Sequence, residues 1–397
     1  MTNIKDLFKK RKNPDEDKEY TDKLRNHKIN KVKKYVLILL AVLVVFIGIK
    51  VYMANKTYSE YEITENILAG DTTKCKFYEY GEYFLRYSDD GLACFYGSEM
   101  VWNQAFEMKQ PIIDVCREYV AIAEQRTNDV YIFNMDGTQG KVKTTYPILD
   151  IEVANQGVVA AITEEGALNH IEVIDKNGNL LAMGQTVIAG DGCPVDLSIS
   201  EDGTKLIVSY LYVSGGVTQT RVVFYNYSEV GKNEVDRIVG GFNQYKTTIV
   251  PKVEFITNDV AVAFGDDMFT IYSIKQKPSI LFETQLEKEV KSIFYSEEYI
   301  GFVFEPENLD MPYTMNIYDE EGKLIYEGKL DMEYKNIKID GDNLLIYNEE
   351  TLTVQGIKGK VKFNNTIEGG VNEILGLDSG YKYILVTNES IDAIKLK

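Results

Sequence analysis

The sequence is poor in the side chains that most often carry catalysis or hold metal ions. Its 397 residues include two histidines, one tryptophan and four cysteines. A Ser-His-Asp, Cys-His or histidine-rich metal site in the folded region would depend on His170 alone. Because His170 begins an apolar run in NHIEVID, a structural role is favoured. We therefore predict no catalytic residues, no cofactor and no metal site.

The cysteines are too few and too scattered for a metal motif. They are Cys75, Cys94, Cys116 and Cys193. None of their spacings matches a CxxC pair. An even number in an extracytoplasmic domain allows one or two disulfides, and buried thiols are the other possibility. The sequence leaves both open.

Long apolar runs are absent except for one, YVLILLAVLVVFIGIKVYM, at residues 35–53. About 20 apolar residues are needed to cross a bilayer core. Its only charged residue, Lys50, lies near one end, where a lysine can reach the interface. No small-x-small cleavage site follows, which disfavours a cleaved signal peptide. We predict an uncleaved transmembrane signal anchor rather than a buried core helix.

Charge is distributed unevenly on the two sides of this segment. Residues 1–34 carry ten Lys and two Arg against six acidic residues, a net charge of +6. The whole chain has a net charge of −18, so residues 35–397 carry −24. The positive-inside rule then predicts a disordered cytoplasmic tail (1–34), a linker (54–60) and an extracytoplasmic domain (61–397) at the cell membrane. An acidic domain argues against nucleic acid as a partner and fits cationic ligands or simple solubility.

After residue 74 no long helix-period segment follows; instead, a short unit recurs. It consists of an apolar run, a polar turn and a second apolar run, with turns near Gly81, Glu118, Gly157, Gly203, Asn258, Glu298, Gly341 and Gly380. The turns lie 37 to 55 residues apart, near the period of four-stranded propeller blades. We predict an all-β, eight-bladed β-propeller with strands A to D in each blade. Seven blades, or an open β-sandwich, are the alternatives.

The first strand-like segment, YEITENIL at Tyr61–Leu68, has no neighbouring partner, and the eighth repeat has only three strands before Lys397. An unpaired strand edge promotes association. We therefore predict that Tyr61–Leu68 supplies strand D of blade eight and closes the ring. The short linker then predicts that the face with the A–B and C–D turns lies nearer the bilayer.

The opposite face, with the B–C turns and D–A connections, is the predicted ligand face. Its B–C loops are mostly acidic, with candidate residues Asp89, Asp90, Glu164, Glu165, Asp266, Asp267, Glu349 and Glu350. Its D–A connections add the aromatic candidates Tyr146, Phe242, Tyr245 and Tyr334. Acidic loops around aromatic patches suggest a binding surface. An ordinary solvated surface is the alternative interpretation.

The repeats resemble those of WD40-like and quinoprotein-like propellers. In particular, LSISEDGTKLIVSY at Leu197–Tyr210 is similar to the S-x-D-G-x-x-L motif of TolB-like propellers. The layout of basic tail, single anchor and acidic propeller resembles a Gram-positive, clostridial-type family of membrane proteins catalogued as a domain of unknown function. The resemblance implies a location and a fold, and no activity.

Two functions are consistent with this sequence. The first is a membrane-anchored, extracytoplasmic module that binds a protein or polymer of the bacterial envelope through the acidic face. The alternative is an extracytoplasmic hydrolase that acts on glycans through a carboxylate pair in the propeller channel. No two carboxylates are singled out by the sequence, and the motifs of catalytic propellers are missing.

Overall fold

The computed structural model describes residues 27, 31–46, 48, 52, 55–88, 90–306, 308, 311–377 and 380–397. The chain divides into two compact units, Met1–Lys56 and Thr57–Lys397. In the first unit, residues 31–46 are helical and exposed. The predicted anchor at residues 35–53 continues through residues 47, 49–51 and 53, which lie outside the described residues, as does most of the basic tail. Within the described part of the chain, no helix is long and apolar enough to cross a membrane.

The second unit is an eight-bladed, WD40-like β-propeller, as the repeat count predicted. Its described residues form eight four-stranded antiparallel sheets, named here blades 1 to 8. Blades 1 to 4 contain β2 Lys76–Tyr80, β3 Tyr83–Ser88, β4 Gly91–Tyr96, β5 Glu99–Gln104; β6 Pro111–Cys116, β7 Tyr119–Glu124, β8 Asp129–Asn134, β9 Gly137–Lys143; β10 Ile148–Val153, β11 Val159–Glu165, β12 Leu168–Ile174, β13 Leu180–Val187; β14 Cys193–Ile199, β15 Lys205–Ser214, β16 Val217–Asn226 and β17 Ile238–Phe242.

Blades 5 to 8 follow the same order of strands A to D, except that strand D of blade 8 comes first in the chain. They contain β18 Lys252–Thr257, β19 Val260–Phe264, β20 Met268–Ser273, β21 Ser279–Gln285; β22 Val290–Tyr295, β23 Tyr299–Phe304, β24 Tyr313–Asp319, β25 Leu324–Leu330; β26 Asn336–Asp340, β27 Asn343–Tyr347, β28 Thr351–Gly356, β29 Val361–Thr366; β30 Glu373–Gly376, β31 Lys382–Val386, β32 Ser390–Leu396 and β1 Tyr61–Ala69. A short 3-10 helix, Val235–Arg237, precedes β17.

Burial along each blade shows which strand lies inside. The B and C strands are near-continuous apolar runs, such as Asn343–Tyr347, in which every residue is buried. Such runs fit strands that are covered on both faces by neighbouring blades. The A strands of neighbouring blades contact one another around the centre, whereas the D strands, such as Ser279–Gln285, are largely exposed at the rim. The A strands therefore line the central channel.

The orphan strand closes the ring, as predicted. β1 pairs antiparallel with β32, with Tyr61 opposite Leu396 and Ala69 opposite Ser390. Ile67 of β1 is 8% exposed and packs into the core between blades 8 and 1. The strand thereby covers an edge that would otherwise present unpaired backbone groups.

Every outer strand carries a bulge that the sequence did not predict. In blade 3, Ala182 is opposite Val173 and Leu180 is opposite Ile174, so Leu181 is an extra residue. The D strands of the other seven blades show an equivalent register shift close to the C–D turn. A bulge bends and twists an edge strand, which hinders pairing with another chain.

The structure also shows the conformation of the DKNGN segment and the state of the four cysteines. The DKNGN segment is a hairpin turn between β12 and β13, in which Asp175 Oδ1 accepts the backbone amides of Asn177 and Asn179, both at 2.9 Å. None of the four cysteines, all of which lie within the described residues, forms a disulfide.

Candidate ligand-binding face

The B–C turns and D–A connections meet on one face because the strands of each blade alternate in direction. Six of the predicted acidic residues are exposed in these turns: Asp90, Glu164, Glu165, Asp266, Glu349 and Glu350. Asp89 lies outside the described residues. Exposed carboxylates can accept hydrogen bonds from a ligand. These residues therefore fit the predicted surface.

The pair in blade 5 has a structural role as well. Asp266 Oδ1 accepts the backbone amide of Ile249 at 2.9 Å, and Asp267 Oδ1 accepts the hydroxyl of Thr248 at 2.5 Å. Both bonds tie the D–A connection of blades 4 and 5 to the B–C turn. Replacing either aspartate would therefore disturb the loop as well as the charge.

In blade 3 the structure brings together Tyr146, His170 and Glu165. The rings of Tyr146 and His170 stack with their centres 4.3 Å apart, and His170 Nε2 lies 3.2 Å from Glu165 Oε2. A hydrogen bond from the Tyr146 hydroxyl to Glu165 raises the pKa of Tyr146. The buried carboxylate of Glu172 accepts the backbone amides of Thr145 and Tyr146, at 2.8 and 3.2 Å, which fixes the loop. His170 thus has the structural role that its position predicted.

The other aromatic candidates differ in exposure. Tyr245 is fully buried, its hydroxyl bonds to that of Tyr272, and burial raises its pKa to about 12. Phe242 is half-buried against the Tyr272 ring, with centroids 4.7 Å apart. Tyr334 is half-buried and its hydroxyl lies 2.7 Å from Ser292 Oγ. Tyr245 therefore belongs to the core, because its D–A connection folds inward.

Blade 6 contributes a cavity on this face that the sequence did not single out. Its volume is about 370 Å³, and carboxylate and apolar side chains line it, including Glu305, Asp331, Glu333, Met311 and Tyr313. The Tyr313 hydroxyl donates to Glu333 Oε2 at 3.0 Å. Met311 is 52% exposed. Carboxylates and polarizable apolar groups thus face the same space.

Inside the channel, the A strands of blades 2 to 5 bring together a carboxylate cluster, which comprises Asp114, Glu152, Asp196 and Glu254 with Lys252. Lys252 Nζ lies 3.4, 3.6 and 3.0 Å from oxygens of Glu152, Asp196 and Glu254, respectively. Burial acts to lower the pKa of Lys252, but the three carboxylates outweigh it and raise that pKa. One ammonium thus compensates several buried carboxylates.

Backbone amides complete the bonding of this cluster. Val153 N donates to Asp114 Oδ2, and Val253 N donates to Asp196 Oδ2, both at 2.7 Å. Burial nevertheless raises the pKa of Asp114 to about 6 and that of Asp196 to about 7. Among the described residues, no group of three or more His, Cys, Asp or Glu side chains is arranged to hold a metal ion.

The A–B mouth of the channel lies beside this cluster. It is a cavity of about 210 Å³ lined by residues of blades 2 to 6, among them the carboxylates of Asp114, Glu152, Glu201, Glu254 and Glu297. Arg117 of blade 2 reaches across it, with Nε 3.1 Å from Glu201 Oε1 of blade 4 and Nη2 in contact with Glu297 of blade 6. The guanidinium therefore spans the opening between opposite blades.

The sequence as a whole matches one protein family. A model described as a family of unknown function, DUF5711, matches residues 54–396. The chain belongs to this family. The match covers the propeller, and no curated protein matches the chain.

Solved structures similar to this DUF5711 chain have propeller folds at low sequence identity. Sqt1 from Chaetomium thermophilum, solved with the N-terminus of the ribosomal protein L10, is 10% identical; the match covers 85% of this chain and 100% of that chain, with a TM-score of 0.55. The Pan2 WD40 domain of Neurospora crassa is 10% identical and covers 72% and 88%, with a TM-score of 0.43. At this identity the likeness to Sqt1 establishes the fold alone.

Proposed function

We propose that this chain is a membrane-anchored, extracytoplasmic binding or scaffolding module of the bacterial cell envelope. Its ligand face is the B–C/D–A face. The observation that carries this proposal is the cavity of about 370 Å³ in blade 6, where Glu305, Asp331 and Glu333 surround Met311 and Tyr313. Concave sites of this size with a few convergent polar groups are typical of ligand pockets.

The chemistry of the face favours a cationic segment of a protein or polymer. Carboxylates bind ammonium and guanidinium groups, and aromatic rings bind cations through their faces. Tyr146, held against His170 and beside Glu165, offers both kinds of contact. The net charge of −24 on residues 35–397 would also attract a cationic partner from a distance.

The apolar segment at residues 35–53 and the basic tail before it support the proposed anchoring. Within the propeller unit the chain enters at the face of the A–B and C–D turns, where Tyr58 N donates to Lys362 O at 2.7 Å and Ser59 N to Lys397 O at 2.8 Å. The few residues between positions 53 and 58 span less than about 20 Å. This supports an arrangement in which the ligand face points away from the bilayer.

Topology can be tested in intact cells with single cysteines placed in a chain that lacks its four native cysteines. A membrane-impermeant thiol reagent should label a cysteine at Asn388 and leave one at Thr2 unlabelled until the cells are opened. Labelling of Thr2 alone in intact cells would contradict the proposed orientation.

Ligand capture can be tested with a charge-reversal triple variant, Asp331→Lys, Glu349→Lys and Glu350→Lys. The matched control reverses three exposed acids of the opposite face, Glu82, Glu298 and Glu321, and so changes net charge equally. The full chain, purified in neutral detergent, is immobilised and exposed to envelope extract. Retention of basic proteins or polymers should be lost in the first variant and kept in the control. Equal retention by both would exclude the acidic face.

The channel hydrolase is a second candidate, and the raised pKa values of Asp114 and Asp196 favour it. A carboxyl with a pKa of about 6 to 7 can act as a general acid near neutral pH. If envelope glycans are hydrolysed, Asp114→Asn and Asp196→Asn should abolish product release measured by chromatography. Hydrolysis that survives in both variants would exclude this site.

A further inference from the structure

The D–A mouth of the channel differs from the A–B mouth in the sign of its free charges. It is a cavity of about 340 Å³ at the start of β2, β26 and β30, in blades 1, 7 and 8. Lys76 begins β2, and Lys335 immediately precedes β26. Both lysines line the cavity and both are exposed.

The floor of this cavity is a bonded network. Asn336 Nδ2 donates to the Tyr347 hydroxyl at 3.0 Å, and that hydroxyl donates to Glu373 Oε1. Lys338 Nζ lies 2.8 Å from the same Glu373 oxygen and 3.3 Å from Glu79 Oε1. Lys338 is thus shared by two carboxylates, and these three side chains together carry a net charge of −1, which only partly offsets the two lysines above them.

Neither Lys76 nor Lys335 forms an ion pair with any residue that the structure describes. Two ammonium groups on one small cavity repel each other. A ligand that carries the opposite charge would remove this repulsion. Tyr78 and Asn372 also line the cavity, and Asn372 Nδ2 donates to Thr72 O at 3.1 Å.

We propose that the D–A mouth binds the dianionic phosphoryl group of a phosphomonoester. Such a group carries about −1.5 to −2 charges at pH 7 and several acceptor oxygens, which matches two ammonium groups and nearby neutral donors. Lysine is a common phosphate ligand that acts as a point charge. This site takes the opposite charge to the acidic loops and is independent of their proposed ligand.

The test is calorimetric titration of the full chain in neutral detergent at constant ionic strength. Inorganic phosphate and glycerol 3-phosphate should bind, whereas acetate and dimethyl phosphate, which carry one charge, should bind at least about tenfold more weakly. The variant Lys76→Gln with Lys335→Gln should lose at least about tenfold in affinity for phosphate. The control variant, Lys275→Gln with Lys323→Gln, removes two exposed lysines of the C–D turns and should bind as the unaltered chain does.

Three results would overturn the proposal. Phosphate and glycerol 3-phosphate could fail to bind, the double variant at the mouth could bind them as tightly as the control, or acetate or dimethyl phosphate could bind equally well. Because Lys76 and Lys335 are exposed, their replacement should leave the melting temperature unchanged, and a circular dichroism melt verifies that the variant is folded. Loss of phosphate binding with retained capture of cationic envelope components would separate this site from the acidic face.

Discussion

The interior of the central channel and its D–A mouth use lysine in opposite ways. Inside the channel, Lys252 of blade 5 is enclosed by Glu152, Asp196 and Glu254 and compensates their charge. At the D–A end, Lys76 and Lys335 are exposed, and no described residue pairs with either. A lysine among buried carboxylates is part of the folded structure, whereas an exposed lysine contributes little to folding and is free for a ligand. The same type of side chain therefore stabilises the ring inside the channel and offers a binding site at its D–A mouth.

The largest effect is expected from opening the ring in blade 8, one of the blades at the D–A mouth. Removal of Tyr61–Leu68 from the compact unit Thr57–Lys397 deletes most of β1, including buried Ile67. The loss should exceed about 5 kcal/mol, because a buried aliphatic side chain contributes about 2–5 kcal/mol and the strand hydrogen bonds add to it. Thermal melting measures the total effect. Hydrogen exchange should show greater loss of protection in blades 7, 8 and 1 than in blades 3 to 5.

An unchanged melting temperature after this truncation would mean that β1 does not hold the ring closed. A uniform loss of protection would mean that all blades unfold as one unit. The blades at the D–A mouth would then be no less stable than blades 3 to 5.

The next largest effect should come from Lys252→Met, which removes the ammonium and leaves the carboxylates of the cluster uncompensated. Breaking a buried ion pair from one side costs about 3–5 kcal/mol. Lys76→Met at the D–A mouth should change the free energy of unfolding by less than about 0.5 kcal/mol. Denaturant titration of both variants measures the difference. Equal costs would refute the distinction between the two lysines.

The pH dependence of stability should report the carboxylate cluster alone. The pKa values of Asp114, about 6, and Asp196, about 7, are raised from 3.8, so the folded state holds protons that the unfolded state has released. Their ionisation therefore lowers stability as pH rises from about 4 through 7. Because burial also raises the pKa of Glu152 in the same cluster, the variant Asp114→Asn with Asp196→Asn should reduce this slope in melts between pH 5 and pH 8. The variant Lys76→Gln with Lys335→Gln should keep it.

The smallest effect is expected at the opening of the A–B mouth. Arg117 is 52% exposed in its side chain, so its pairs with Glu201 and Glu297 are screened by solvent. Arg117→Gln should cost no more than about 1 kcal/mol. A denaturant titration that gave a loss comparable to that of Lys252→Met would place the stabilising charge pairs at the opening rather than inside the channel.

The propeller architecture was predictable because each repeat is marked by a short pattern of apolar runs and turn residues. Turn residues such as Gly157 and Gly203 mark each A–B hairpin, and eight such turns with a leftover strand require a closed ring. The bulges were not predictable, because Leu180 and Leu181 look alike in sequence and only the pairing with Ile174 makes one of them extra. The membrane anchor, the envelope location and the orientation stay predictions.

The candidate face was predicted only as a set of loops. Exposure of Glu349 and Glu350 follows from their turn, but the inward course of Tyr245 depends on packing against Tyr272 from another blade. The channel cluster had a weak signal that was overlooked. Each of several A strands carries one acidic residue within an apolar run, as Asp114 does in PIIDVC.

Closure by β1 also constrains the order in which the molecule can be completed. Tyr61 and its partner Leu396 are joined at opposite ends of the propeller sequence, so their pairing is among the most non-local contacts in the chain. Contacts of this kind form late, because a long loop must be ordered first. During synthesis, β1 emerges before any of the strands it will join, and it must stay unpaired until β30, β31 and β32 have followed. We therefore expect the pairing of β1 with β32 to be the last step of folding.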